Sequence, residues 1–258
     1  YYHCLSIATI YQKQIKHMYV KIITYFLSFF DKVNKNKIIE FFKKNIKEDI
    51  VNFIDVGAHH AETVKLFDKE LIIKNFFCFE CSPLNFKFLI KEIKRMNKSS
   101  IKSYNYALGE EKKNMIFNQS IESQSSSLIK LNKNSKYFLK KKKFLTFFNF
   151  KKFTENEFIV NVDTLKNFLD ENLLNKIKIL KIDTEGYDFN VIKGLKDRIK
   201  DVEYIYFEHH FHNMLDKNYN LSDVHDYLIK NGFKKVFKIK MRFRKTFEYI
   251  YNNSKYVS

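Results

Sequence analysis

Asp55-Val56-Gly57-Ala58-His59-His60-Ala61-Glu62-Thr63 decides the fold of this chain. The segment Ile50–Val56 reads as a strand, and the small residues at 57, 58 and 61 then read as a tight strand-to-helix turn. Such a turn lets a ligand press against backbone N–H groups at a helix N-terminus. It lacks the complete G-x-G-x-x-G pattern of a dinucleotide binder. About two dozen residues on, at the end of the next apolar run, stands Glu80, where an acidic side chain takes the hydroxyls of an adenosine ribose. The two features together point to a cofactor that contains a nucleoside. With no pyrophosphate to cradle, an incomplete glycine pattern fits S-adenosylmethionine better than NAD.

Outward from this turn, short apolar runs alternate with polar-apolar helical stretches. Ile50–Val56, Phe76–Glu80, Ser103–Leu108, Ile177–Asp183 and Glu203–Glu208 read as strands, with helices over Glu62–Phe67 and Asn85–Arg95 between the early ones. This rhythm predicts βαβ units, a parallel sheet with right-handed crossovers and ligands at the carboxyl ends of the strands. Residues 110–160 break it, with Ser-rich Gln119–Ser127, basic Lys140–Lys143, and Phe144, Phe147, Phe148 and Phe150 close behind. Lacking regular apolar periodicity, this stretch reads as an insertion between the third and fourth strands of a single domain over residues 50–258.

Residues 1–49 read as an amphipathic helical extension. Ile15, Tyr19, Ile22, Ile23, Phe26 and Phe30 fall at helical spacing, and docking on the domain is preferred to a role at a membrane surface. The apolar run Met18–Phe30 is too short to span a bilayer. No secretory signal is expected, and Cys4, Cys78 and Cys81 cannot build a disulfide framework, so the expected setting is reducing and cytoplasmic.

Composition sharpens these readings. The chain has 258 residues, with 47 Lys plus Arg against 29 Asp plus Glu, a formal charge of +18. That balance suggests nucleic acid or an anionic membrane. Yet 43 of the basic residues are Lys, beside 28 Phe, 4 Ala, 5 Gly and 1 Pro, the pattern of A/T-rich codons. A phosphate reader favours Arg, with its planar fork, so a Lys-coated surface is the preferred reading. In such a composition the disfavoured residues persist where physics demands them. Gly57, Gly109 and Gly186 each follow a predicted strand, and Pro83 opens a helix after the second.

A second site lies in Lys181-Ile182-Asp183-Thr184-Glu185-Gly186-Tyr187-Asp188, which places carboxylates in the turn after the fourth strand. They could cap the next helix, orient a substrate hydroxyl, take its proton or hold a cation. Asp183 is the first candidate for catalysis, followed by Glu185, His209 and His210. Glu208-His209-His210-Phe211-His212 ends the fifth strand at the same edge. Three histidines with Asp183 could ligate a metal, but strand pleating turns His210 away from its neighbours, so hydrogen bonding is the expected role and no resident metal is expected. Phe237 to Lys245 alternates apolar with basic residues, which predicts one strand carrying Arg242 and Arg244 on a face suited to an anionic acceptor. The Lys140–Lys143 run with its phenylalanines would form a lid over it.

The ordered set Asp55-Val56-Gly57-Ala58, Phe79-Glu80-Cys81-Ser82-Pro83, Asn105-Tyr106-Ala107-Leu108-Gly109, Ser126-Ser127-Leu128, Val162-Asp163-Thr164-Leu165 and Leu180 to Asp188 resembles the FkbM family of S-adenosylmethionine-dependent methyltransferases, over roughly residues 50–252. The resemblance implies the α/β, Rossmann-like, seven-stranded class I methyltransferase sheet with helices on both faces. A late antiparallel hairpin would fall at Phe233–Lys240 and Phe247–Asn252. It also implies O-methylation, often of sugars or natural products. On this resemblance Asp55, Gly57 and His59 would line the methionine end of the cofactor, Glu80 the ribose, and Asn105, Ala107 and Leu108 the adenine side, with Ala58, Ala61 and Thr63 completing the turn. The family usually has Asn at the position of His59 and Gly at that of Ala61, which would add a methyl group near the cofactor. The rival readings are a nucleic-acid methyltransferase, which the charge favours, and a non-catalytic module that keeps the cofactor fold. Against the first, the fourth-strand motif lacks the Asn/Asp-Pro-Pro-aromatic signature of enzymes that methylate base amino groups.

Overall fold

The computed structural model describes residues 32–119, 126–147 and 156–256. A first helix, α1, covers residues 32–45. There follow β1 (Ile50–Val56), α2 (Glu62–Glu70), β2 (Ile73–Phe79), α3 (Pro83–Met96), β3 (Ile101–Tyr104), β4 (Ala107–Leu108), β5 (Lys113–Gln119), α4 (Lys136–Phe147), β6 (Asn156–Asp163), α5 (Leu165–Glu171), β7 (Ile177–Ile182), α6 (Asp188–Lys193), β8 (Val202–His210), α7 (Leu221–Lys230), β9 (Phe233–Lys240) and β10 (Thr246–Asn253). Seven strands form one sheet in the order β3-β2-β1-β7-β8-β10-β9. The first five run parallel, and β10 lies antiparallel between β8 and β9.

Both faces of this sheet are covered, and each carries its own core. Ile54, Val56, Leu180, Ile182, Ile205 and Phe207 pack with residues of α5, α6 and α7 on one side. Phe53, Phe76, Ile179, Tyr204 and Ile250 pack with residues of α1, α2 and α3 on the other. Adjacent residues of one strand thus feed opposite cores, which is why β1 and β7 read as almost continuous apolar runs. A fully buried phenylalanine such as Phe53 contributes about 1.5–3 kcal/mol. Helix α1 buries Ile38, Ile39 and Phe42 in the second core, so the chain ahead of β1 is part of that core. The helical stripe predicted over residues 15–30 lies outside the described residues, and no helix among the described residues is long and apolar enough to cross a membrane.

Two expectations need correction, and one stretch holds strands that the sequence did not show. The predicted strand Ser103–Leu108 is two strands in different sheets, because Asn105 turns its side-chain amide onto the carbonyls of Glu80 (2.8 Å) and Cys81 (3.3 Å) and ends pairing with β2. Residues 110–160, which show no regular apolar periodicity in the sequence, hold β5 and most of β6, which pair antiparallel from Lys113↔Val162 to Gln119↔Asn156. With β4 they form a three-stranded sheet over Ala107, Phe117, Val160 and Val162. The sequence hid this pair because Ile116 and Ile159 are exposed beside buried Phe117 and Val160, so apolar residues occupy both faces. The strand predicted through Lys245 stops at Lys240. Met241 N donates to Thr246 O (2.9 Å) and Arg244 N to Met241 O (3.4 Å), closing a turn in which Phe243 has φ 64°. The chain must reverse there for β10 to lie antiparallel to both of its neighbours.

Candidate active site

The carboxyl ends of β1, β2 and β7 meet at one cavity. Its floor is the β1–α2 turn, where Gly57 has φ 82° and a Cβ would sit 1.9 Å from the carbonyl oxygen of Asp183. The requirement for glycine is therefore the close approach of another strand end, fastened by Asp183 N donating to Val56 O at 2.9 Å. Gly57 N and Ala58 N both donate to Phe79 O (2.9 Å), which ties the turn to β2. His59 and Ala61 follow with φ 46° and 67°. Glu62 holds this strained turn, accepting from His60 N at 3.0 Å and facing His59 Nδ1 at 3.0 Å. Burial raises the Glu62 carboxyl, but the His59 ring and backbone donors outweigh it and bring it to about 2.

Glu80 stands at the end of β2, buried but on the cavity wall. One carboxylate oxygen accepts from His59 N (3.0 Å), the other from Ser82 N (2.8 Å). The carboxylate is thereby fixed in orientation, and each oxygen keeps a lone pair for a further donor. Burial nevertheless raises its pKa. Tyr106, Ala107, Leu108, Phe117 and Leu128 supply an apolar wall beside it. Ser82, which caps α3 through Asn85 N, donates to Gln119, and Gln119 donates to Ser126 Oγ at 2.8 Å. This chain of bonds fastens the small sheet to the floor.

The opposite end of the cavity is polar. Asp183, Thr184 and Glu185 line it from the turn after β7, Glu208 from β8, Glu248 from β10, and Arg244 from the β9–β10 turn. Lys35 of α1 and Lys181 of β7 line it too. Lys181 Nζ lies 3.0 Å from Asp55 Oδ1 and 3.4 Å from Asp183 Oδ2. Burial opposes its charge, yet the two carboxylates win and hold the ammonium above its ordinary range. Asp183 is lowered in turn, against the burial that would raise it, by Lys181. Glu208 is pushed well up by burial and then by the charges of Asp183, Glu185 and Glu248. The same polar wall thus shifts two of its carboxyls in opposite directions, Asp183 down beside the Lys181 ammonium and Glu208 up among like charges. Glu248 Oε1 accepts from Tyr206 OH at 2.6 Å.

The structure brings most predicted site residues together and separates others. Gly57, Ala58, His59, Thr63, Glu80, Ala107 and Leu108 line the cavity with Asp183, Glu185 and Arg244. Asp55 does not, being fully buried beneath the turn against Lys181. Ala61 is fully buried and starts α2, so its methyl group does not meet the cavity; its left-handed φ is the reason glycine suits the position. Asn105 faces the carbonyls behind Glu80. His209 and His210 point to opposite faces of β8. His209 packs on Phe211 and Tyr219 with its ring 3.4 Å from Lys217 Nζ, away from the cavity, whereas His210 Nε2 lies 3.4 Å from Glu185 Oε2. Burial pushes both imidazoles down to about 3. Arg242 is exposed and does not line the cavity. For the predicted lid, Lys140 and Lys143 are exposed on α4 and Phe148 and Phe150 lie outside the described residues.

Sequence reasoning missed Lys181, Glu208, Glu248 and Lys35 as site residues. Lys181 carried a signal: a charged residue inside the apolar strand Ile177–Ile182, matched by Asp55 inside the apolar strand Ile50–Val56. Asp188, proposed as a helix cap or a ligand, is the first residue of α6 and braces the turn ahead of the helix without a side-chain cap bond to it. Its oxygens accept from Thr184 N (3.0 Å), Thr184 Oγ1 (3.0 Å) and Gly186 N (3.2 Å), and burial lifts it to about 6.

Residues 55–235 match a family model described as the methyltransferase FkbM domain. No curated protein matches the chain. Among solved structures, a methyltransferase FkbM from Methylobacillus flagellatus KT is 13% identical with a TM-score of 0.49, the match covering 80% of this chain and 45% of that one. The chain thus spans less than half the length of that relative. M. capricolum TrmK, solved with S-adenosyl-homocysteine, is 12% identical over 85% of this chain and 69% of its own, with a TM-score of 0.45. An rRNA methylase from Streptococcus thermophilus is 7% identical over 80% and 88%, with a TM-score of 0.41.

Proposed function

The chain belongs to the FkbM methyltransferase family, and from that premise we propose that it transfers a methyl group from S-adenosylmethionine to a hydroxyl of a sugar, glycan or other small natural product. One observation carries the reading: a single cavity joins the fixed carboxylate of Glu80, beside an apolar wall, to a carboxylate-rich end built from Asp183, Glu185, Glu208 and Glu248. These residues fit the cofactor. Glu80 has free lone pairs for two ribose hydroxyls, Tyr106 to Leu108 with Phe117 offer the apolar slot an adenine needs, and the acidic end suits a sulfonium cation. When bound, the cofactor supplies an activated methyl group.

The chain's own contribution is positioning. Asp183, kept ionised by Lys181, accepts a hydrogen bond from the acceptor hydroxyl and orients its oxygen. Arg244 at the same end favours an acceptor that carries negative charge. The Asp183-Thr184-Glu185-Gly186 turn offers carboxylates where base-methylating enzymes carry Pro-Pro-aromatic, which favours oxygen over an exocyclic amine. Cys78 and Cys81 are free thiols, in keeping with a reducing, cytoplasmic setting.

Calorimetry with S-adenosylmethionine, followed by a screen of glycans, free sugars and RNA with methyl-labelled cofactor, tests the proposal. The expected result is cofactor binding and label on a carbohydrate oxygen. Label on RNA with a steep salt dependence, or no cofactor binding at millimolar concentration, would overturn it.

A further inference from the structure

We propose that Glu185, Glu208 and His210 form a binding site for one divalent cation at the acceptor end of the cavity. One ligand atom from each of the three lies within 4.8 Å of the others. A cation about 2.1 Å from each donor needs them no more than about 4.2 Å apart, within reach of small side-chain rotations. Glu185 Oε2 and His210 Nε2 already stand 3.4 Å apart.

The fold explains the convergence. Glu208, which lines the cavity, and His210 are two residues apart on β8 and so share one face of the strand, with His210 beside Glu185 at the cavity's edge. Glu185 comes from the adjacent turn after β7, its backbone at φ 50° and its carbonyl held by Ser127 Oγ at 2.7 Å. The histidine is the independent sign of a ligand. His210 is only 6% exposed, and its Nδ1 lies 3.1 Å from Oγ1 of Thr246, its direct partner on β10. Its Nε2 is buried, makes no hydrogen bond among the described residues, and faces the Glu185 carboxylate. A ring tethered through one nitrogen with the other turned towards two carboxylates is the arrangement of a ligating histidine, in which the tether fixes the tautomer. Two carboxylates and one imidazole suit Mn2+ or Zn2+ better than the all-oxygen preference of Mg2+. Resting on the methyl-transfer reading, the cation's use is to hold the acceptor's oxygen at this end of the cavity.

The cluster of His59, His60 and Glu62 provides an internal control, since it offers the same donor types but is more exposed. The test is titration of the chelator-stripped chain with Mn2+, read as loss of the free-ion paramagnetic resonance signal, with Zn2+ and Mg2+ as competitors. The expected result is one Mn2+ per chain, displaced by Zn2+ and lost in His210→Gln and Glu208→Gln. Thr246→Val, which removes only the tether, weakens it roughly 10–100-fold, and His60→Gln leaves it intact. Circular dichroism checks folding of each variant, and if a ligand variant does not fold, Thr246→Val decides. No Mn2+ bound at millimolar concentration, binding unchanged in Thr246→Val and His210→Gln, or loss in His60→Gln overturns the site. Calorimetry with S-adenosylmethionine on the same metal-free protein keeps the proposals apart: if the cofactor binds and Mn2+ does not, only the cation site falls.

Discussion

Lys181 Nζ lies 3.0 Å from Asp55 Oδ1, and the two residues are register partners on the adjacent central strands β7 and β1. Neither reaches bulk solvent, with side chains 6% and 0% exposed, so each charge depends on the other. Lys181→Met leaves a buried carboxylate uncompensated and is expected to cost about 3–5 kcal/mol in urea denaturation. Combining it with Asp55→Leu recovers part of that loss, because the orphaned charge is gone. Strict additivity of the two single changes would show that the pair does not act as a unit.

Gly57→Ala sets a Cβ 1.9 Å from the Asp183 carbonyl at a φ of 82°. Left-handed strain and the clash together predict a loss of about 2–6 kcal/mol. Because the clash is with the strand end that carries Asp183, any folded variant should also bind S-adenosylmethionine more weakly. A Tm equal to that of the natural chain would refute the close approach.

Glu80→Gln keeps the shape of the side chain but gives up one anionic acceptor among two backbone donors and the proposed ribose. The expected outcome in calorimetry is a roughly 10–100-fold weaker cofactor Kd, the worth of one charged hydrogen bond. An unchanged Kd would remove Glu80 from the cofactor site.

Asp188 predicts a pH signature. Burial raises its carboxyl from 3.8 to about 6 in the folded chain. Its contribution to stability is therefore fully present below about pH 4 and is lost as the pH rises through about 6, because the folded state holds the proton longer than the unfolded one. Asp188→Asn lacks this titration. The stability of the natural chain relative to the variant should fall by on the order of 3 kcal/mol between pH 4 and pH 7, since each tenfold gain in proton affinity on folding is worth about 1.4 kcal/mol. A pH-independent difference between the two would show that the folded chain does not hold this proton.

The two turn arginines separate cleanly. Arg244→Ala should raise the KM for an anionic acceptor several-fold while leaving kcat within a factor of about two, and Arg242→Ala should change neither. Equal effects would restore the basic strand face expected from the sequence.

Much of the framework was legible before the structure. Ile50–Val56, Gly57, Glu80 and Pro83 were readable because strand periodicity, turn residues and helix starts are local properties of a few consecutive side chains, whereas the late hairpin came from the family resemblance alone. Local pattern failed at β5 and β6, where apolar residues on both faces erase the alternation. It failed again at Lys240, where alternation continued past the residue at which the chain turns back.

The sequence by itself determined the order of the five parallel strands and of the turns that follow them, the family, and which of those segments reach the carboxyl edge of the sheet. Only the tertiary structure decided which side chains meet there. It buried Asp55 against Lys181, turned His210 towards Glu185 and His209 away, set Glu208 opposite Glu248, and brought Lys35 in from α1. The physical reason is register. Pairing between strands distant in sequence fixes which residues stand side by side, and pleating fixes which face each takes, so a displacement of one residue would turn the strand-borne groups among them to the other face of the sheet.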